Sequence, residues 1–377
     1  MKSDATILVL GAYGLAGRAI TARLLRKTSY TVLAAGRDCN RLKAVCGPME
    51  SGRIRTVVLD ALIPDDVANA CHQADFVINA VGPFARNGAA IAQTVLETGK
   101  PYLDCANEQQ HYHRLKSLNE MAVQRNLPMI TAAGAIPGLS TLLAAQFDES
   151  TSTECCWAQL RHAYADSGLA SMMSGILEAL AEPVTISGGQ FSSVILGKSV
   201  KTIALPAPFG CRPCLEVPTI DALTLPRHVP FQDYHTWFYF GELPLWLLDV
   251  VRLLQPQRRP RAYRMIYAVM RHINTRDTAK AIAAGIGPEA LLMVSAFQKE
   301  RLESRSMMFV DGAAATACLP VYLAHLYLTG EMDRCGLLTP LDLVAPALLD
   351  EITSDIRVDS PRTSNHTTLS EHCENSA

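Results

Sequence analysis

Residues 6–17, TILVLGAYGLAG, decide the fold of this chain. A β-branched and aliphatic run, Thr6–Leu10, leads directly into a glycine-rich turn, and the amphipathic stretch RAITARLLRK follows. A second apolar run, YTVLAA at residues 30–35, comes next. The order strand, glycine turn, helix, strand is that of the opening βαβ unit of a doubly wound, Rossmann-type parallel sheet. The sequence therefore predicts an α/β fold that binds a dinucleotide.

The three glycines of this turn have different physical roles. Gly11 allows a tight turn at the end of the strand, Gly14 lets the backbone approach a pyrophosphate, and Gly17 lets the helix pack closely on the sheet. The spacing is G-x-x-G-x-x-G, and the strands on both sides make a purely structural turn the weaker interpretation. We expect the phosphates to lie at the helix N-terminus. The predicted cofactor contacts in this loop are Gly11, Tyr13, Gly14, Leu15, Ala16 and Gly17.

The residue after the second strand indicates which cofactor binds. NAD sites usually have Asp or Glu there for the ribose 2′-hydroxyl, whereas this chain has Gly36-Arg37. A guanidinium suits a 2′-phosphate, and Arg41 and Lys43 add positive charge nearby, so we predict NADP(H). Two alternatives remain open: Arg37 only caps or solvates the next helix, or Asp38 turns toward the ribose.

Further strands are predicted at residues 54–59, 76–80, 102–105 and 128–132, with a long helix over 108–125. Ligands of such sheets lie beyond the carboxyl ends of the strands. Asp60 is therefore expected at the adenine, its alternative role being to cap the following helix. The turn formed by Ala80, Val81, Gly82 and Pro83 is expected under the nicotinamide ribose.

Composition narrows the class of protein. The chain has 377 residues, 49% of them hydrophobic, which is enough for two domains, and its net charge of −2 gives no indication of nucleic-acid binding. The N-terminus enters the first strand without a signal peptide, so we expect a cytoplasmic protein with its 11 cysteines reduced. Cys211-x-x-Cys214 is a single pair, and no metal site is predicted.

Two further segments need separate interpretation. Residues 237–254, WFYFGELPLWLLDVVRLL, are apolar but carry too many charges for a membrane span. They suit a buried helix, a substrate-tunnel wall or a homodimer surface, with a membrane anchor as the least favoured reading. Residues 359–377 are polar and are predicted to be disordered.

The chain resembles the saccharopine dehydrogenase-like oxidoreductase family. The matching motifs are GAYGLAG, LAAGR, VINAVGPF, the Y-x-D-x-x-x-E pattern from Tyr102, AAGAIPGLSTLLA, and the stretch 313–340. The resemblance implies a discontinuous dinucleotide-binding domain, residues 1–149 and 313–357. It also implies an inserted α/β (α+β) domain, residues 150–312, that binds substrate or mediates dimerisation.

The inserted region has its own pattern. Residues 157–164 read as a strand and 167–180 as a helix, and the runs at 290–297 and 305–310 read as a hairpin. By resemblance, Ser171 is a weak substrate-contact candidate, because a serine there would equally cap the helix. The turn 134–140 follows the sixth strand, and we expect Pro137 and Gly138 to lie near the substrate.

Candidates for proton handling lie at and after the fifth strand. They are Tyr102, Asp104 and Glu108, with His111 less persuasive because a histidine one turn into a helix is usually solvated. Capping of the next helix is the alternative role for Asp104. The Tyr112–Lys116 spacing matches a common proton relay, but we interpret it as accidental.

Two classes of function follow. The first is an NAD(P)H-dependent oxidoreductase that transfers hydride to a C=N or C=C bond of a small, amino-acid-derived or apolar substrate. The second is a non-catalytic NADP(H)-binding sensor or membrane-associated scaffold of the same fold. The GAIPG turn and the second domain favour the enzyme.

Overall fold

The structure is a computed structural model, and it describes residues 5–49, 52–147, 152–159, 184–195, 198–239, 241, 250, 253, 260–298 and 301–358. The chain divides into two compact units. The first comprises residues 1–142 and 313–353, and the second comprises residues 143–312 and the chain from residue 354 onward. The first unit is therefore formed by two separate stretches of sequence.

The first unit is built on a seven-stranded, parallel sheet. The strands are β1 Thr6–Leu10, β2 Thr31–Gly36, β3 Ile54–Val58, β4 Phe76–Asn79, β5 Tyr102–Asp104, β6 Pro128–Ile130 and β15 Gly336–Leu338. Their order across the sheet is β15-β6-β5-β4-β1-β2-β3. From β1, the chain adds β2 and β3 on one side and then β4, β5 and β6 on the other, which confirms the predicted doubly wound fold.

The central strands are buried on both faces, which explains their continuous apolar sequences. Ile7, Leu8, Val9 and Leu10 have no exposed surface. β15 was not predicted, because only three residues form it and nothing in so short a run distinguishes a strand from a loop.

Helices cover this sheet and differ from the prediction in one respect. The residues predicted as one helix over 108–125 form two, α5 and α6, because the chain turns at Ser117 and Leu118. The helices of this unit are α1 Leu15–Lys27, α2 Cys39–Cys46, α3 Pro64–Cys71, α4 Phe84–Glu97, α5 Gln109–Lys116, α6 Asn119–Gln124, α10 Gly312–Thr316, α11 Cys318–Thr329, α12 Pro340–Leu343 and α13 Leu349–Thr353, with α7 Leu139–Ala144 at the boundary between the units.

The second unit contains a mixed sheet of eight strands. Its main order is β10-β11-β12-β7-β13-β14, and β8 joins β12 to β9. The predicted hairpin is present as β13 and β14, which pair antiparallel. The strands are β7 Ser152–Gln159, β8 Val184–Ser187, β9 Gln190–Ser193, β10 Val200–Leu205, β11 Gly210–Glu216, β12 Asp233–Tyr239, β13 Ala290–Gln298 and β14 Arg301–Phe309; α8 is Asp221–Thr224 and α9 is Pro260–Ala283.

Several predictions fall on residues outside the described ranges. These are the helix over 167–180 with Ser171, most of the segment 237–254, and the tail 359–377. Trp237, Phe238 and Tyr239 are described and belong to β12, which pairs with β7 and β11. A single helix over 237–254 is therefore wrong for these three residues.

One described helical stretch, Gly312–Thr329, is long and apolar enough to cross a membrane by length and composition alone. More than half of it, 56%, is buried within the fold. Tyr327 packs against Phe76 of β4, with ring centroids 5.4 Å apart, and His325 Nδ1 lies 2.8 Å from the Tyr30 hydroxyl. The stretch thus contributes to the core of the first unit.

The cysteines are mostly isolated thiols. Nine described cysteines are free, but Cys211 is disulfide-bonded, so the expectation that all are reduced is wrong for this residue. Cys214 is free, and its Sγ lies 3.8 Å from that of Cys156. The Cys211-x-x-Cys214 pair is therefore not a metal-binding pair in the structure.

Gly17 offers a test of the packing of α1 on the sheet. A Cβ at Gly17 would overlap the carbonyl oxygen of Gly11 and lie 2.8 Å from its carbonyl carbon. Gly17→Ala should therefore lower the free energy of unfolding by about 1–3 kcal/mol, although alanine favours helix more than glycine does. Gly47→Ala is the control, since a Cβ there meets nothing within 4 Å. Urea denaturation that gives both variants the same stability would contradict this account.

Candidate functional site

The glycine turn lies where three strands of the first sheet end. The Gly11 amide donates to the carbonyl of Ala35 at the end of β2, over 2.9 Å. Gly11 has a φ of +78°, and a Cβ on it would lie 2.9 Å from the carbonyl oxygen of Ala80, just after β4. Only glycine fits both constraints. The structure thus brings the glycine turn, the end of β2 and the turn after β4 to one edge of the sheet.

The start of α1 suits a pyrophosphate. Gly14 is the N-cap, Leu15 and Ala16 begin the helix, no side chain caps this end, and its first turn has no acidic residue. A Cβ on Gly14 would make one tight contact, 3.1 Å from the Gly11 carbonyl oxygen, and would meet no other atom within 4 Å. Uncapped amides with the positive end of a helix dipole favour a phosphate anion. The residues of this chain therefore fit the cofactor that the sequence predicts.

The residues after β2 separate the two charged candidates. Arg37 is exposed, whereas Asp38 is the N-cap of α2, with Oδ1 accepting hydrogen bonds from the amides of Asn40 and Arg41 at 2.9 and 3.0 Å. Asp38, and not Arg37, caps this helix. Because its carboxylate is engaged there, the alternative in which Asp38 serves the ribose loses support.

Asp60 follows β3 at the same edge of the sheet. Its Oδ1 accepts the amide of Leu62 at 3.1 Å, and its own amide donates to Asp66. The N-cap of α3 is Ile63, so Asp60 does not cap that helix with its side chain. Its role at the adenine remains a prediction.

The turn after β4 is held by a buried asparagine that sequence reasoning missed. Asn79 Oδ1 accepts the amide of Val81 at 2.9 Å, and its Nδ2 donates to the hydroxyl of Tyr102 at 3.0 Å. Asn79 has no exposed surface. A polar residue at the end of the run FVIN was the available signal. Its effect is to fix the backbone of the turn that contains Ala80, Val81, Gly82 and Pro83.

Tyr102 lies below this turn and is fully buried. Burial, together with the nearby Asp104 carboxylate, raises the pKa of its hydroxyl well above the ordinary value. A phenol with such a pKa keeps its proton at neutral pH. The structure thus places Tyr102 in the interior, where it binds Asn79.

Asp104 and His111 form a buried pair, and the expectation that His111 is solvated is wrong. His111 Nε2 lies 2.7 Å from Asp104 Oδ2, and neither side chain has exposed surface. Asp104 Oδ1 accepts from the Thr131 hydroxyl at 2.7 Å and the Ala106 amide at 3.1 Å. Burial opposes the charge, but His111 and these two donors together lower the pKa of Asp104 below its usual range. The alternative capping role is not met, because the N-cap of α5 is Glu108 and Ala106 precedes the helix.

His111 reaches Asp104 because α4 leaves room for its ring. A Cβ on Gly88 would lie 2.7 Å from His111 Nδ1. Phe84, also on α4, packs against the imidazole with ring centroids 5.7 Å apart. The position of His111 therefore depends on the packing of α4 and α5, which no local pattern reveals.

Glu108 is the N-cap of α5 and holds two backbone amides. Its Oε1 accepts from Phe84 at 3.1 Å and its Oε2 from Asn107 at 3.0 Å. Burial raises the pKa of Glu108 from its ordinary value, against the opposing effect of His111. The structure thus brings the three candidates for proton handling, Tyr102, Asp104 and Glu108, into the same region. Each of them makes hydrogen bonds to other residues of the first unit. A catalytic role for them remains a prediction.

The turn after β6 contains the two described substrate candidates. Gly138 has a φ of +124°, and a Cβ on it would lie 2.8 Å from the Ala132 carbonyl oxygen. The Gly134 amide donates to the Pro137 carbonyl over 2.9 Å. Gly138 is thus required by a tight turn, and substrate contact remains a prediction for Pro137 and Gly138. Within the described part of the chain, no group of three or more His, Cys, Asp or Glu residues is arranged to hold a metal ion.

Comparison with known families identifies the first unit. Residues 7–130 match the model of the saccharopine dehydrogenase NADP binding domain. The resemblance drawn from the motifs is confirmed for this domain, and NADP(H) is its cofactor, as Gly36-Arg37 predicts. The match supports an NAD(P)-dependent oxidoreductase and leaves the substrate undetermined.

Comparison with solved structures supports the fold of the whole chain. Apo saccharopine dehydrogenase (L-Glu forming) from Saccharomyces cerevisiae aligns with a TM-score of 0.63 and 12% identity, over 96% of this chain and 100% of that one. Amine dehydrogenase from Mycobacterium smegmatis aligns with a TM-score of 0.48 and 11% identity, over 90% and 95% of the two chains. The yeast structure shows a shared fold, and the second similarity is too low to support an argument.

The Asp104–His111 pair predicts a pH-dependent contribution to stability. Because the pKa of Asp104 is lowered, its contribution is complete above the usual carboxyl range and is lost as the pH falls through the folded-state value. Asp104→Asn should lower the free energy of unfolding by about 2 kcal/mol at neutral pH. The deficit should narrow below about pH 4. Asp333→Asn, at an exposed loop carboxylate, is the control. A deficit that is constant with pH in chemical denaturation would show that the charge of Asp104 is not involved.

Gly14 tests the phosphate site without testing the packing. Gly14→Val should fold, since a Cβ there would meet only the Gly11 carbonyl oxygen and the extended backbone suits a β-branched residue. It should weaken NADPH binding at least about tenfold because the side chain occupies the approach to the helix N-terminus. Isothermal titration calorimetry measures the affinity and circular dichroism checks the fold. A folded variant with wild-type affinity would remove this loop from the site.

Proposed function

We propose that this chain, whose residues 7–130 match the saccharopine dehydrogenase NADP binding domain, is an NADPH-dependent oxidoreductase. Its reaction is hydride transfer to a C=N or C=C bond of a small, amino-acid-derived or apolar substrate. The observation that carries the proposal is the basic end of the nucleotide site. The carboxylate that an NAD enzyme would use is absent, the nearest one is committed to a helix cap, and Arg37 is exposed beside it.

The chain's own residues would bind and orient the reactants. The amides at the start of α1 would hold the pyrophosphate, and Arg37 the 2′-phosphate. Asn79 and Glu108 hold the amides of Val81 and Phe84, which fixes the backbone on the nicotinamide side of the predicted site. When bound, NADPH supplies the hydride. Such a reaction needs orientation and exclusion of water more than it needs a reactive side chain.

The choice of an unsaturated C=N or C=C substrate rests on the family resemblance and on the apolar segment 237–254. The yeast neighbour that shares the fold is named as a saccharopine dehydrogenase, which is consistent with amino-acid-derived substrates. The second unit, with its eight-stranded sheet, is the part of the chain available to bind them.

One observation favours the second candidate, an NADP(H)-binding sensor without turnover. Tyr102, Asp104 and Glu108 are all at least nine-tenths buried and bonded within their domain, so none is an exposed proton donor. A sensor would keep the nucleotide site without requiring one. Turnover distinguishes the candidates: NADPH oxidation should be measured with imine, enoyl and carbonyl substrates at matched concentrations. Tight NADPH binding without oxidation by any of them would support the sensor.

Arg37 gives the sharpest test of the cofactor assignment. The wild-type protein should bind NADPH more tightly than NADH, and Arg37→Ala should weaken NADPH binding by about 1.5–3 kcal/mol with little effect on NADH. Arg37→Lys keeps the charge but not the two-pronged geometry and should give an intermediate affinity. Calorimetric titration of the three proteins with each cofactor measures these affinities. Equal affinities of the wild-type protein for both cofactors would contradict the proposal.

A further inference from the structure

The ring of Tyr13 lies against the end of β2. A Cβ on Gly36 would lie 2.8 Å from Tyr13 Cδ1 and would overlap the neighbouring ring carbon. The φ of Gly36 is not in the left-handed region, so the backbone there does not require glycine. The absent side chain instead provides the space that the Tyr13 ring occupies. Gly36 therefore determines where this ring sits.

Arg41 is held at both its backbone and its guanidinium. Its amide donates to Asp38 Oδ1 over 3.0 Å, which fixes the residue in the first turn of α2. Its guanidinium carbon lies 4.6 Å from the centroid of the Tyr13 ring, within the range of a cation–π contact. Among the described residues, no carboxylate pairs with Arg41. Its charge is thus positioned by a neutral ring and remains available to an anion.

Arg37 differs from Arg41 in this respect. It is exposed, and no contact within the described residues fixes its guanidinium. A long exposed side chain loses rotational freedom when it binds a ligand, whereas a side chain already held against a ring loses less. The two arginines near the end of β2 are therefore not equivalent.

We propose that Arg41, held by the Tyr13 ring, is a fixed second cation that selects the 2′-phosphate of NADP(H). In this arrangement Tyr13 is a positioning residue for specificity, and Gly36 makes room for it. The inference rests on the proposed NADPH-dependent function and identifies what sets its preference for the phosphorylated cofactor. It predicts that removing the uncharged ring of Tyr13 lowers the ratio of the NADP⁺ affinity to the NAD⁺ affinity.

The test measures the affinities for NADP⁺ and NAD⁺ by calorimetry and uses their ratio as the readout. Arg41→Ala should reduce the ratio about tenfold, as expected for loss of a charge-assisted hydrogen bond. Tyr13→Leu should reduce it about two- to fivefold, as expected for loss of an exposed cation–π contact. Gly36→Ala, which displaces the ring without altering Tyr13 or Arg41, should act in the same direction. The double variant Tyr13→Leu/Arg41→Ala should lose no more than Arg41→Ala alone.

Two control variants distinguish the positioning of Arg41 by the Tyr13 ring from a nonspecific effect of changing a side chain or the net charge. Tyr13→Phe keeps the ring and should keep the wild-type ratio. Arg55→Ala removes an exposed positive charge from β3, outside the predicted site, and should leave the ratio nearly unchanged. A ring that only contacts the adenosine would affect both cofactors equally, so an unchanged ratio in Tyr13→Leu and Gly36→Ala overturns the inference. If the wild-type protein shows no preference for NADP⁺, the proposed cofactor use itself fails, and that outcome is distinct.

Discussion

The buried carboxylate of Asp104 is the interaction on which the nucleotide-binding unit depends. A charge with no exposed surface is stable only when it is paired and hydrogen-bonded. Asp104 meets this condition with His111 from α5, the Thr131 hydroxyl after β6 and the Ala106 amide. The carboxylate therefore ties a strand, its neighbour and a helix to one point, and loss of any partner would leave a buried polar group unsatisfied.

The same polar interior extends to the edge of the sheet. Tyr102 connects the region of Asp104 to Asn79, and Asn79 holds the amide of Val81. Glu108 holds the amide of Phe84 at the start of α4. The turn from Val81 to Phe84 is thus fixed by hydrogen bonds to two buried side chains, Asn79 and Glu108. Its rigidity suits a surface that must hold a cofactor ring in one orientation.

The two ends of the proposed nucleotide site are shaped by different interactions, buried hydrogen bonds at one end and exposed positive charges at the other. The turn after β4, where the nicotinamide is predicted, is held by buried hydrogen bonds, whereas the end of β2, where the adenosine is predicted, presents exposed cations beside a capped helix. Asp38 contributes to the second end by leaving the ribose region without a free carboxylate. In the proposed site, selectivity for a phosphorylated cofactor would arise from charge and the orientation of the cofactor from packing. Both features are consistent with the NADP-binding family that residues 7–130 match.

The sequence alone determined the doubly wound sheet and the cofactor, because both are encoded locally. Continuous apolar runs form central strands, and glycines at fixed spacing form the turn, whatever the distant chain does. Only the tertiary structure decided the partners of Asp104. His111 reaches it through the packing of α5 on α4 at Gly88, where no side chain blocks the imidazole. Similarly, Trp237–Tyr239 became a strand because β7 and β11 lie beside them. Contacts between elements far apart in sequence depend on which surfaces meet, and no local pattern records that.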